Sequence, residues 1–267
     1  MKNQINGYFT RISNNYIRMN DRDLDKKLLL TIICLDRKRN IEDVVGFSLY
    51  DLILASGYKI NRNTDGSIKQ FKKQIEFLVD NGMIKFITPK RSLMGNNYTE
   101  VKILKEFDFT ENYTILTATE IDQLLLSKIR IAKEKLFAIY LYIKSFIYQR
   151  NLTEDDTEFS DAKNKPMSYW GSIDVLIDTI GTCKLTFNKC VNEYIKLGLL
   201  KKHETGSYTK NIKGKLKDIN APNIYVLNIG DYQQEIDWTL IKLKNMYGID
   251  EFGEMKKRGK RVVENKE

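Results

Sequence analysis

The chain has 267 residues, 42% hydrophobic and 30% charged, with fifteen tyrosines and twelve phenylalanines. That length suits one or two domains, and the aromatic content excludes a largely disordered chain. Forty-four basic against thirty-five acidic residues leave a net charge of +9, a balance that favours a polyanionic partner, either nucleic acid or an anionic surface. No apolar run reaches the roughly 18 residues of a membrane span; the longest candidate, 136–148, is interrupted by Lys144. The opening MKNQ lacks the apolar stretch of a signal peptide. A cytoplasmic protein without a membrane partner is the expectation.

An apolar helix is expected over 24–35, with Leu28, Ile32 and Leu35 on one face. A short capped helix follows in SLYDLILASG (48–57), where Ser48 is the N-cap residue and Gly57 closes the helix. After a long loop over 58–65, a second helix closes on FKKQIEFLVDNG (71–82). A hairpin-like segment comes next, with strands near 83–88 and 98–104 and a loop containing Pro89 and Gly95.

The same grammar then returns. A helix over 133–150 carries Leu136, Tyr140, Ile143 and Ile147 on one face, and SIDVLIDTIG (172–181) matches the first capped helix. FNKCVNEYIKLG (187–198) matches the second, with eleven positions from Phe to Gly in both copies. Lys73 meets Lys189, Ile75 meets Val191, and Val79 meets Ile195. A short apolar pair and a lysine follow each glycine, and the second copy ends in a lysine-rich polar loop and the strand-forming run NIYVLN (223–228). Two copies are too few for a solenoid, so two related domains are expected. Outside the repeat lie an acidic surface insertion (153–166), an amphipathic helix over 231–247 with Ile236, Leu240 and Leu243 on one face, and the basic tail MKKRGKR (255–261). The helix is free to dock on the body or to join a partner chain.

Helix, helix, turn, helix, hairpin is the order of a winged helix. The expected fold is mainly α with a small β component (α+β), built as two tandem winged-helix domains over 1–115 and 116–230, with 231–267 supplying a C-terminal helix and basic tail.

In such a unit the last helix lies in the major groove, where base edges are read by long polar side chains. The candidates are Lys69, Gln70, Lys72 and Lys73 in the first copy, and Thr186, Asn188, Lys189 and Asn192 in the second. The hairpins, or wings, should meet phosphate, which supplies affinity and salt dependence without sequence choice. Wing one offers Lys85, Lys90, Arg91, Lys102 and Lys105; wing two offers Lys201, Lys202, Lys210, Lys213, Lys215 and Lys217, with Tyr208 and Thr209 as neutral donors. The bland alternative for each segment is a solvated lysine surface.

Catalysis is not expected. A pair of metal-binding histidines cannot be assembled from His203 alone, read here as exposed beside the wing. The nearest approach to a phosphate-binding GxxxxGK[ST] loop, Gly253 to Arg261, is one residue too long and lacks the closing Ser or Thr. Cys34, Cys183 and Cys190 are odd in number and unrelated in spacing, and read as small buried apolar residues rather than a disulfide or zinc set. No cofactor or metal is expected.

The opening GYFTRISNNYIR (7–18), the helix FAIYLYIK (137–144), the SIDVLI stretch from Ser172, and Asn188-Lys189 with the GLLK close at 198–201 resemble winged-helix replication initiators. That family serves plasmids, phages and conjugative elements of low-GC Gram-positive bacteria and includes DnaD-type proteins. The resemblance touches most of residues 1–230; the acidic insertion and the 58–65 loop depart from a compact unit. It implies binding to repeated origin sites in double-stranded DNA, followed by recruitment of host replication proteins. A homodimer is left open, and a winged-helix transcriptional regulator of a mobile element is the alternative.

Overall fold

The computed structural model describes residues 9–18, 27–63, 66–89, 93–104, 113–147, 168–229 and 232–255. Helices and strands are mixed throughout. The first half runs β1 (Phe9–Ser13), α1 (Asn14–Arg18), α2 (Lys27–Asp36), β2 (Val44–Ser48), α3 (Leu49–Ala55), α4 (Ser67–Asp80), β3 (Ile84–Phe86) and β4 (Tyr98–Ile103). The second runs β5 (Tyr113–Thr117), α5 (Ala118–Leu126), α6 (Lys133–Ser145), α7 (Ile173–Ile180), α8 (Lys184–Lys196), β6 (Leu200–His203), β7 (Ser207–Ile212), β8 (Lys215–Asn220), β9 (Ile224–Leu227) and α9 (Tyr232–Tyr247).

Local chemistry sets the helix ends. The Ser48 hydroxyl accepts from the Asp51 amide and opens α3, and Ser172 does the same for Val175 at α7; each satisfies an amide the helix leaves unpaired. Gly181 closes α7 at φ 66°, and Gly82 and Gly198 follow α4 and α8 at φ 64° and 72°. A side chain at any of the three would be forced into the left-handed region. Thr117 and Glu120 form a reciprocal capping box on α5.

The two halves share a sheet topology. In the first, β2, β4 and β3 lie side by side in that order, all antiparallel. In the second, β6 pairs with β9, and Tyr169 exchanges two 2.8 Å backbone hydrogen bonds with Tyr225 on the other edge of β9. Tyr169 therefore stands where β2 stands, just ahead of the capped helix. The lysine-rich stretch between β6 and β9 is more ordered than the loop the sequence suggested. It forms a separate hairpin, β7–β8, turned by Lys213 and Gly214 at φ 53° and 76°, the two left-handed residues of a type I′ turn.

A further repeat joins the halves. β1 pairs antiparallel with β5, with Phe9 opposite Thr117, Arg11 opposite Ile115 and Ser13 opposite Tyr113. A shift of 104 positions carries Phe9 onto Tyr113 and maps this pairing onto itself, so Arg11 and Ile115 sit on a local pseudo-twofold axis. Buried Thr10, Ile12 and Ile17 become buried Thr114, Leu116 and Ile121. The symmetry extends to side chains. Arg18 on α1 donates from Nε to the Ser145 hydroxyl at 3.0 Å and from Nη2 to the Ser145 carbonyl, at the end of α6. Asp122 on α5, which the same shift places opposite Arg18, forms an ion pair of 2.9 Å with Arg37, just after α2. Helices α2 and α6 pack on each other across the same joint, and one continuous apolar core runs through both halves.

Helix α6 is buried from Leu136 to Lys144. Lys144, which breaks the longest apolar run, does not face water: it is 3% exposed and pairs with the Glu120 carboxylate, which also accepts from the Tyr140 hydroxyl at 2.5 Å. A buried ammonium is tolerated only with such a partner. The expected reach of this helix to residue 150 stops at Ser145; residues 148–150 lie outside those described. Helix α9 docks on the body, burying Ile236 and Leu243 against Ile224 and Val226 of β9, while the buried Thr239 hydroxyl shares a 2.6 Å hydrogen bond with Ser168. No helix among the described residues is long and apolar enough to cross a membrane.

Candidate nucleic-acid interface

Helix α8 is anchored by Phe187, Cys190, Val191 and Tyr194, all buried, and the Tyr194 hydroxyl donates to the Leu136 carbonyl at 2.5 Å. That anchoring turns the other face to water. Lys184, Leu185, Asn188, Lys189, Asn192, Ile195 and Lys196 are exposed, one stripe at three- and four-residue spacing. Asn188, Lys189 and Asn192 fall on it as expected, and their side chains have no hydrogen bond or ion pair among the described residues. Thr186 sits at its edge, half-buried, sharing a 3.3 Å hydrogen bond with Cys183. That bond, with the Thr186 amide, holds the Cys183 thiol below its usual range. Cys34 and Cys190 are buried as expected, but Cys183 is exposed, because it occupies the N-cap position of α8. Lys184 and Lys196 were missed as candidates, although their place on the 188–192 stripe follows from helical spacing.

Helix α4 is held by Phe71, Ile75 and Leu78, with the Tyr58 ring edge-on to Phe71 at 5.5 Å. Lys69 and Lys73 are exposed, while Gln70 and Lys72 are half-buried. This face is a less open polar surface than that of α8: Glu76 lies half-buried one turn after Lys72 and lowers its net charge.

The β7–β8 hairpin is the most cationic ordered element. Lys210, Lys213, Lys215 and Lys217 are all exposed, and none has an acidic partner among the described residues. Lys210 stands directly opposite Lys217, a like-charge pair that costs stability in a hairpin. The first half repeats the arrangement, with exposed Lys85 opposite exposed Lys102. An anion between such pairs removes the repulsion. Alternate residues along a strand share one face, so Lys215 and Lys217 project from the same side of the hairpin.

Other candidates are differently engaged. Lys202 bonds Glu204 at 2.7 Å, and Lys201 lies 5.3 Å over the Tyr232 ring. Thr209 donates to Asp218 at 2.7 Å. Tyr208 stacks flat on Tyr247 of α9, with centroids 4.3 Å apart and planes 11° apart, so it braces the hairpin instead of standing clear as a donor. Ser207 and Gly253 exchange two 2.8 Å backbone hydrogen bonds, and the Ser207 hydroxyl donates to the Glu254 carbonyl at 2.7 Å. Stack and pairing together fasten the hairpin base to the segment after α9. His203 is half-buried on β6 rather than exposed. Lys90, Arg91, Lys105, the acidic insertion and the tail beyond Met255 lie outside the described residues.

Among the described residues no three His, Cys, Asp or Glu side chains gather as a metal site. The arrangement is suited to holding an extended polyanion: a polar, amide-bearing helix face followed in the chain by a four-lysine hairpin. No family model matches the chain, and none of the curated proteins matches it.

Proposed function

We propose that this protein binds double-stranded DNA through two winged-helix units and initiates replication of a plasmid or other mobile element at repeated origin sites. The observation that carries DNA binding is the joint exposure of Asn188, Lys189 and Asn192 on α8 and of four lysines on the hairpin after it that have no acidic partner among the described residues. Asparagine amides suit adenine edges, lysine suits guanine, and hairpin lysines suit phosphate. The shared order of helices and sheet strands in the two halves supports the winged-helix reading, and the pseudo-twofold joint supports a pseudo-dimer that grasps two half-sites. The replication role rests on the initiator-like motifs, and recruitment of host replication proteins goes with it.

The test is selection from random duplexes at two salt concentrations. The expected result is one enriched motif that survives the higher salt. Recovery of unenriched sequence at both salts would overturn the reading. A minimal replicon carrying Asn188→Ala and Lys189→Ala should fail to be maintained; normal maintenance would leave DNA binding without the replication role.

A further inference from the structure

A cavity of about 360 Å³ lies between the end of α6, the extended stretch 168–171, α7 and α9; its walls are Tyr142, Phe146, Tyr169 and Trp170, with Val175 and Lys242 among its lining residues. Three of the rings form a continuous aromatic surface: Tyr142 to Phe146 is 5.2 Å, Phe146 to Tyr169 is 5.5 Å, and Tyr142 to Tyr169 is 6.2 Å between centroids. One cation, Lys242, lines it; a second, Arg18, lies outside the lining and is bonded to Ser145. Lys242 Nζ lies 6.0 Å from the Trp170 centroid, and the Arg18 guanidinium lies 3.8 Å from that of Phe146. Neither cation has a carboxylate partner among the described residues. Tyr142 is 5% exposed, lines the cavity, and its hydroxyl makes no hydrogen bond among those residues.

These features select an occupant. The volume is at the small end for ligand pockets, which run from about 300 Å³ upward, so it suits one bulky side chain better than a nucleotide. The lining is aromatic with few polar groups, which favours an apolar anchor over a base edge that needs several directed hydrogen bonds. A lysine without a carboxylate partner among the described residues, set at an apolar site, favours acidic flanks on whatever enters. We propose that this cavity binds an acidic peptide segment of a partner protein, inserting one phenylalanine or leucine side chain between the rings while a neighbouring carboxylate meets Lys242. The proposal does not depend on the DNA-binding reading.

Trp170 is its own reporter. The chain has two tryptophans, and Trp238→Phe on the outer face of α9 leaves only the cavity wall to fluoresce. The full chain with that change is titrated with a capped peptide of four aspartates around one phenylalanine. The expected result is a saturable shift of Trp170 emission. Lys242→Glu should weaken binding about fivefold, the upper range of one exposed charge pair, and Val175→Glu, at a position 55% exposed, should weaken it at least as much. Both changes are at solvent-exposed positions, and circular dichroism checks that each variant is folded. No shift, or an equal response to the same peptide with lysines for aspartates, overturns the proposal. A Val175→Glu-sensitive response to a single-stranded oligonucleotide instead of the peptide overturns it in favour of nucleic acid. Peptide binding that appears only after residues 153–166 are replaced by a glycine-serine linker overturns the external partner, because the chain's own acidic segment is then the occupant.

Discussion

The hairpin lysines offer the sharpest test, because their effect differs in kind from that of the helix. Lys210, Lys215 and Lys217 are changed to Gln, and Lys213 to Asn, which tolerates the left-handed turn position. None of the four supports the core, so folding should be unaffected. If each lysine neutralises one phosphate, the slope of log affinity against log salt falls by about 0.9 per contact, up to about 3.6 in all. Between 50 and 200 mM salt that difference corresponds to about a hundredfold change in affinity. The assay is fluorescence anisotropy on the selected duplex and on a scrambled duplex of equal length, across that salt range. The quadruple variant should lose affinity for both duplexes alike, with a flattened slope. An unchanged slope, or a loss confined to the selected duplex, would refute the assignment of this hairpin to the phosphate backbone.

Asn188→Ala with Lys189→Ala should cost about 1–3 kcal/mol per lost base contact on the selected duplex and little on the scrambled one, measured by the same anisotropy titration. Glu120→Gln should destabilise the fold by about 3–5 kcal/mol in urea unfolding, since it strands the Lys144 charge in the core. Adding Lys144→Met should recover most of that loss; a double variant no more stable than the single would show that the pair itself holds the fold. Burial pushes the Glu120 carboxyl up, but the Lys144 ammonium and the bonds from Lys144, Tyr140 and Thr117 together bring it below its ordinary value. Its contribution is therefore fully present above the ordinary carboxyl range and lost as pH falls through the depressed folded value. The acid limb of stability against pH should be steeper for the native chain than for Glu120→Gln. Tyr247→Ala removes the stack on Tyr208, an aromatic pair contributing about 0.5–1.5 kcal/mol, and amide exchange in β7 and β8 should quicken by about tenfold; unchanged exchange would mean the hairpin holds itself.

What the amino-acid sequence determined by itself is whatever depends on neighbours a few positions apart. Ser48 and Ser172 cap helices because the amide they bond is three residues on, and the glycines after α4, α7 and α8 close them because only the local backbone is involved. The inward faces of α4 and α8 follow from helical period, and so do the outward positions of Asn188, Lys189 and Asn192. The tertiary structure decided whatever rests on distant partners. The β1–β5 ribbon joins strands 104 positions apart, and neither is long enough to announce itself. Lys144 reads as a break in an apolar run until Glu120, 24 positions away, arrives to neutralise it. Beyond its base the β7–β8 hairpin has both faces in water, so it lacks the alternation that marks a half-buried strand. Its base is tied by Gly253 and Tyr247 from beyond the repeat. Caps and periodicity act within a turn or two of chain and can be read from it, whereas strand pairing, buried charge and aromatic stacking belong to residues that meet only once the backbone has folded.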